Sequence, residues 1–247
     1  MGNINDSYFD GHYKDIWRSI IPDELTAKEV EFILNYFNLQ PGNKILDLMC
    51  GYGRHSIALA NKGMKVTAVD NLNDYINEVK QVSEKDNLSI TAEQADVANY
   101  APSETFDLVI CMGNSLNFFN ADDTIRLFRN VSTHLKKGGS LLINSWSVAE
   151  IAIKNFKDKS WSDVGDKKFL VDCKYLFHPA RIEFEHLILT PDGKTESKTG
   201  IDYIFSINEI ETMLNQTGFI LKEIYSIPGK KKLTIGEPRI YMIAEKS

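Results

Sequence analysis

Apolar positions along the chain change period several times, and the changes mark its elements. Thr26 and Glu29 have the spacing of a capping box, and Val30, Ile33, Leu34 and Phe37 follow at helical intervals, so a first clear helix is expected to end before Pro41-Gly42. Lys44 to Met49 then reads as a short buried strand, and Gly51-Tyr52-Gly53 as a turn opening into a helix from His55 to Asn61. A second strand, Lys65 to Val69, ends on Asp70. A helix with Tyr75, Ile76, Val79 and Val82 on one face leads to a third strand, Ser89 to Glu93, which closes near Asp96. Phe106 to Cys111, a helix from Asp122 to Leu135, and Ser140 to Asn144 after Lys137-Gly138-Gly139 complete five alternations. Strands that alternate with helices need crossovers, which implies a parallel, doubly wound sheet.

Beyond residue 165 the period drops to two. Phe169, Val171, Cys173, Tyr175 and Phe177 alternate with other residues, as do Ile182, Phe184, His186 and Ile188, and His178-Pro179-Ala180 joins the two runs. Pro191-Asp192-Gly193 leads to a third run around Ile201, Tyr203 and Phe205, so an antiparallel insertion is expected at about residues 165–206. The earlier rhythm resumes with a second capping box at Ser206 and Glu209, a helix closed by Gly218, and strands from Phe219 to Ile227 and Arg239 to Glu245. The last two have no helix between them and must pair antiparallel. The expected fold is α/β: a doubly wound seven-stranded sheet, parallel with an antiparallel last strand, plus a small antiparallel β insertion.

A length of 247 residues allows one large α/β domain, and 43% hydrophobic with 25% charged residues is ordinary globular composition. Three cysteines, Cys50, Cys111 and Cys173, are too few and scattered for a disulfide framework or a tetrahedral zinc site, so no metal is expected. The net charge of −6 is uneven: residues 1–120 hold 9 basic and 17 acidic side chains, the remainder 19 and 17. An acidic chain gains nothing from counterion release, which argues against a nucleic-acid partner, and Lys230-Lys231-Lys232 reads as a solvated loop. The first residues lack a basic and then apolar leader, and no apolar run reaches the length of a membrane span, so the expectation is a cytoplasmic protein without membrane contact, monomer or homodimer.

Gly51-x-Gly53 follows a buried strand, and Asp70 closes the next strand 17 residues beyond Gly53. Such glycines let a cofactor approach the backbone, and such an acid accepts hydrogen bonds from ribose hydroxyls. Ser56 fills the small third position of a dinucleotide fingerprint, so NAD stays open on the glycines alone.

Ile45-Leu46-Asp47-Leu48-Met49-Cys50-Gly51-Tyr52-Gly53 resembles the first motif of the class I S-adenosylmethionine-dependent methyltransferases of the small-molecule type, and the resemblance extends over nearly the whole chain. It implies that residues 41–247 are a Rossmann-like methyltransferase domain using S-adenosyl-L-methionine, with residues 1–40 as an N-terminal helical lid. Asp70 matches the ribose-binding acid, with Asn71 beside it. Gln94-Ala95-Asp96-Val97 resembles the segment that holds the adenine edge through Asp96 and the Val97 amide. Leu135-Lys136-Lys137-Gly138-Gly139 resembles the turn before the fifth strand, and the terminal hairpin is one that ordinary dehydrogenases lack. Asp47, Gly51, Gly53 and Met112 complete the implied cofactor set; Asp47 alternatively just orients the glycine turn. Met49 departs from the pattern, since this position usually holds Gly.

The amino-terminal Tyr8-Phe9-Asp10-Gly11-His12-Tyr13 and Ile16-Trp17 are placed either to lay Tyr13 and Trp17 over the cofactor or to pack them as a helix on the domain. Arg54 either pairs with the cofactor carboxylate or is a surface cation. His55 is a candidate neighbour of the site, and His134 a structural residue near a helix end. An acceptor must arrive over the carboxyl ends of the strands, at Asn114, Ser115 and Trp146. His178 and Arg181 grip an anionic substrate if the inserted sheet folds over those ends, and otherwise are solvated. The Asp/Asn-Pro-Pro-aromatic sequence of amino-directed nucleic-acid enzymes is replaced here by Met112-Gly113-Asn114-Ser115, and no cysteine has a proline neighbour. The expected function is methyl transfer to an O or N atom of a small metabolite, which gains mostly from in-line alignment and exclusion of water and needs a base only if the acceptor keeps its proton, so no catalytic residue is assigned. The alternatives are an NAD-dependent oxidoreductase, or a non-catalytic cofactor-binding module with a protein partner.

Overall fold

The computed structural model describes residues 3–247; the first two residues of the amino-terminal segment lie outside the described residues. Two helices come first, α1 (Tyr13–Ile20) and α2 (Asp23–Tyr36). They are followed by β1 (Lys44–Leu48), α3 (Arg54–Ala60), β2 (Lys65–Asp70), α4 (Asn73–Lys85), β3 (Ile90–Gln94), β4 (Phe106–Cys111), α5 (Ala121–His134) and β5 (Leu135–Ser145). Then come α6 (Ala149–Asn155), β6 (Lys159–Val164), β7 (Lys167–Phe177), β8 (Ala180–Leu189) and β9 (Thr195–Tyr203). The chain closes with α7 (Ile207–Asn215), β10 (Phe219–Ile227), β11 (Lys231–Lys232) and β12 (Ile240–Lys246).

The main sheet runs β3-β2-β1-β4-β5-β12-β10-β11. β1 to β5 are parallel, while β12 pairs antiparallel with both β5 and β10, as the helix-free connection required. The sheet has eight strands rather than seven. The extra one is Lys231–Lys232, so the basic cluster is not a free loop: Lys231 meets Glu237, and Lys232 meets Glu223 and the Tyr225 ring. One face of the sheet packs on Leu127, Phe128 and Val131 of α5 and on Ile210 and Leu214 of α7. The other packs on Val30 and Ile33 of α2 and Leu59 of α3, with Ile76 and Val79 of α4 beside them. The strand order reverses between β1 and β4, and a crevice opens there above the carboxyl ends.

Four strands, β6-β7-β8-β9, form the second sheet, antiparallel throughout. Three were expected. β6 escaped because its side chains are exposed along nearly the whole strand and so carry no alternation. Residues 1–40, expected as one lid, do not behave as one piece: α2 packs in the core, while of the segment before it Tyr8, Tyr13 and Ile16 are buried with Ile188 of the second sheet.

The two capping boxes part ways. At Ser206 and Glu209 both reciprocal hydrogen bonds form. At Thr26 and Glu29 neither does, because α2 starts earlier, at Asp23 behind Pro22, and Glu29 turns inward.

Candidate active site

A cavity of about 770 Å³ lies over the reversal point, within the size range of cofactor sites. Its floor is the bend after β1. Met49, Gly51 and Gly53 all have positive φ, at 56°, 54° and 78°, so the chain turns through three left-handed residues. Gly is at ease there and Met is not, which locates the departure at position 49 in a backbone conformation that normally excludes side chains. The Met49 side chain lines the cavity and packs against the core. A Cβ on Gly53 would stand 2.6 Å from Val79.

Asp70 ties this bend to β2. Its Oδ2 accepts from the Gly51 amide at 2.9 Å and its Oδ1 from the Leu72 amide at 3.0 Å. Burial raises the Asp70 carboxyl, against the pull of those amides, and the neighbouring Asp47 charge raises it further. Asp47, 1% exposed, accepts from Ser56 Oγ at 2.6 Å, and burial raises it as well despite nearby His55 and Arg54. Two carboxyls held above their usual range make this end of the cavity receptive to a cation. Beyond them Asn71, Asp96 and Val97 line the wall, with Asp96 Oδ1 accepting from the Ala98 amide at 3.0 Å, and Phe118 and Phe119 stand opposite.

Arg54 and His55 also reach the cavity wall. Arg54 Nη1 donates to Glu29 Oε2 at 2.7 Å and to Thr26 Oγ1 at 2.9 Å. His55 Nε2 lies 2.9 Å from the same carboxylate, and Tyr241 Oη donates to Glu29 Oε1 at 2.7 Å. Burial alone would raise Glu29, but His55, Arg54 and Tyr241 outweigh it and lower its carboxyl to about 2. Arg54 is therefore an anchored, largely buried cation at the site rather than a free surface one.

The roof comes from both ends of the chain. Asn5 Oδ1 accepts from the Ile201 amide at 2.9 Å while its Nδ2 donates to the Ile201 carbonyl at 3.0 Å, so one side chain pairs with edge strand β9 like a piece of strand. Asn3 Nδ2 donates to the Phe118 carbonyl at 2.8 Å. Lys198 is bonded to Asp10 and Glu196, and Tyr8 to His186, whose ring burial takes down to about 4. Trp17, Ile201 and Tyr203 face the cavity.

Of the residues singled out from sequence, Trp17, Asp47, Gly51, Arg54, Asp70, Asn71, Asp96, Val97, Met112 and Ser115 meet at this cavity. Tyr13 does not; it packs among Tyr8, Phe169 and His186. Gly53 shapes the bend from behind. Asn114 is buried beside the cavity and knits the strand ends together, accepting from Ser145 Oγ and from the Trp146 and Ser147 amides. Trp146 packs against Trp17 in a tilted arrangement, ring centroids 5.8 Å apart and planes at 40°. His178 and Arg181 are outside the site: they lie at the β7–β8 turn, where Arg181 pairs with Glu183 and His178 is exposed. His134 lies in the last turn of α5, its Nδ1 2.9 Å from the Asn130 carbonyl. Sequence reasoning missed Asn5, Glu29, Asp202 and Tyr203. Asp202 had left a trace as an acid in an alternating strand, in register with Ile182.

A wound sheet closed by an antiparallel hairpin, with a glycine bend after β1 and an acid ending β2 beneath one cavity, is the class I fold of S-adenosylmethionine-dependent methyltransferases. Residues 45–139 match the family described as a methyltransferase domain. A putative methyltransferase from Geobacillus sp. strain WCH70 is 23% identical over 238 residues, spanning 94% of this chain and 92% of that protein. The fold of an S-adenosylmethionine-dependent methyltransferase from Clostridium acetobutylicum ATCC 824 superposes with a TM-score of 0.81 at 20% identity, over 95% of this chain and 96% of the other. An amino pentose methyltransferase from Micromonospora echinaspora, solved with S-adenosylmethionine bound, gives 0.72 at 16% identity, over 96% and 98%. The match to a methyltransferase domain thus covers residues 45–139, and nearly the whole chain shares the fold of these structures. Among the described residues no helix is long and apolar enough to cross a membrane, and no group of three or more His, Cys, Asp or Glu stands where it could hold a metal ion.

Proposed function

We propose that the protein transfers the methyl group of S-adenosyl-L-methionine to a nitrogen or oxygen atom of a small metabolite. The observation that carries this reading is the shared cavity of Asp70, Asp96, Val97, Met112 and Trp17, roofed by Ile201 and Tyr203. The residues present fit the cofactor. Each Asp70 oxygen uses one lone pair on a backbone amide and keeps another for a ribose hydroxyl. Asp96 and the Val97 amide suit the adenine edge, and the raised carboxyl of Asp47 suits a cationic amino acid end. Arg54, with only Nη1 engaged among the described residues, has donors left for a carboxylate. When bound, the cofactor supplies an electrophilic methyl on a positively charged sulfur. What the chain supplies is alignment and exclusion of water, through Trp17 and the Asn5-pinned roof.

The roof also argues for a small acceptor, because the second sheet, through Ile201 and Tyr203, and the amino-terminal segment, through Asn3, Asn5 and Phe9, both line the cavity. The amino pentose specificity of the Micromonospora enzyme is in keeping with that. An NAD-dependent oxidoreductase is disfavoured by the paired acids, which would face a pyrophosphate. Titration calorimetry should show binding of S-adenosylhomocysteine and none of NAD. Asp70→Ala should weaken S-adenosylhomocysteine by roughly 1 to 3 kcal/mol through lost charge-assisted hydrogen bonds. Label from methyl-labelled cofactor should enter the low-molecular-weight fraction of a metabolite extract; label confined to RNA or protein would reject the small-metabolite reading.

A further inference from the structure

The second sheet has two edges, and they are treated differently. At β9 the Asn5 side chain pairs with the main chain of Ile201 and covers that edge beside the cavity. At the far edge β6 pairs with β7 alone among the described residues and lends nothing to the cavity lining. Residues 159–163 are all exposed, and Trp161 keeps 67% of its surface accessible. The Cys173 amide donates to the Asp158 carbonyl at 2.6 Å, which sets the phase of the ladder. Even positions of β6 therefore turn their main-chain groups toward β7, and Lys159, Trp161 and Asp163 turn theirs outward. The Lys159 amide accordingly donates to its neighbour's carboxylate, Asp158 Oδ1, at 2.9 Å. A bare edge that carries a large apolar side chain is a template for another strand.

We propose that this edge pairs antiparallel with the same edge of a second copy of the chain, about a twofold axis at Trp161. In that register Trp161 meets its own counterpart, and Lys159 stands opposite the partner's Asp163 at both ends of the joint. All three positions are turned outward, so each pair exchanges both of its main-chain hydrogen bonds. The charge pattern favours a second copy over an unrelated strand. Within the chain Lys159 lies 3.1 Å from Asp172 and Asp163 lies 2.9 Å from Lys168, on the outer face of the sheet. Joining two copies extends these pairs into a row of alternating sign: Asp172, Lys159, the partner's Asp163, the partner's Lys168. Between the two such rows Trp161, Leu170 and Leu187 lie in register across β6, β7 and β8, and the joint doubles them into one apolar band. A slip of one residue would set outward groups against inward ones, and a slip of two would set Trp161 against Lys159 or Asp163. The contact is isologous and closes on itself. It leaves β9, with Ile201 and Tyr203, at the two ends of the joined sheet, so both cavities stay clear of it.

Sedimentation velocity of the full chain tests the pairing. The wild type should dimerise with a dissociation constant below about 20 µM. Lys159→Glu sets like charges at both ends of the joint, as does Asp163→Lys, and each variant alone should self-associate about tenfold or more weakly. An equimolar mixture of the two variants should recover dimer to within about threefold of the wild type, because each copy then meets opposite charge at both ends. Contacts to Asp172 and Lys168 inside each copy are the same alone and in the mixture, so recovery reads only contacts between copies. Should either variant not fold, hydrogen exchange of the wild type with residue-level fragmentation serves instead. The amides of Lys159, Trp161 and Asp163 should exchange about threefold or more slowly at about 200 µM than at about 5 µM, by mass action, while those of Ser160 and Ser162, already turned to β7, keep one rate. A wild type that is monomeric at about 200 µM, a single variant that associates like the wild type, a mixture no better than its parts, or exchange at Trp161 that ignores concentration overturns the proposal.

Discussion

Single residues in this protein carry opposite electrostatic signs, and acid stability separates them. Glu29 is lowered to about 2 from 4.5, so its stabilisation is complete above pH 4.5 and drains away as pH falls through 2. Asp202 is raised from 3.8 to about 6, so the folded state loses stability as pH climbs through that interval. Asp202→Asn should therefore stabilise the protein by about 1 to 3 kcal/mol at about pH 8, with the gain vanishing below about pH 4, measured by urea unfolding at each pH. Glu29→Ala should cost about 3 to 5 kcal/mol at neutral pH, because Arg54 and His55 are left buried without their carboxylate; a loss below 1 kcal/mol would contradict the network. The glycine bend supplies another contrast. Gly51→Ala meets only the Tyr75 ring at an ordinary contact of 3.9 Å and should cost just the left-handed strain of about 1 to 2 kcal/mol, whereas Gly53→Ala adds a collision with Val79 and should cost clearly more in the same assay. The place of Asp70 beneath the glycine bend was legible in the sequence because it ends a strand just after that bend. Glu29 was not: Thr-x-x-Glu has the same spacing whether the carboxylate returns to its own helix or meets Tyr241, 212 positions later.

Elements held together by short-range signals were the readable ones. The helix behind Ser206, the glycine bend and the helix-free link before the last strand each declare themselves within a few residues. β6 and α6 do not. β6 shows no alternation, and α6 is a short helix of 7 residues with only Ile151 and Ala152 buried. The amino-terminal segment is harder still, since its meaning depends on a partner strand 196 residues away. Asn5→Ala removes both bonds to Ile201 and should free this segment by about 1 to 3 kcal/mol. Hydrogen exchange should then quicken at residues 3–12 and at Ile201 while the β1 to β5 core keeps its protection. Unchanged exchange at Ile201 would show that the segment is held by its other contacts, among them Asn3, Lys198 and Tyr8.

At the scale of the molecule, a three-layer α/β body was legible from period alone, together with the existence of an insertion and an antiparallel closing strand. The contribution of Ile201 and Tyr203 from that insertion to the cavity lining was not, because it depends on which strand lies nearest the crevice, and strand order within a sheet leaves no mark on hydrophobic spacing. His178 and Arg181 were considered because they flank a turn, yet the insertion presents its edge strand to the crevice and sends that turn elsewhere.

The clasp between Asn5 and Ile201 has a kinetic corollary. Under the proposed methyl transfer, escape of the by-product past this clasp, rather than bond-making, would govern the steady rate. Rapid-quench measurements should reveal a fast first turnover of about one methyl per chain followed by a slower linear phase, and Asn5→Ala should erase that break by letting the by-product escape sooner.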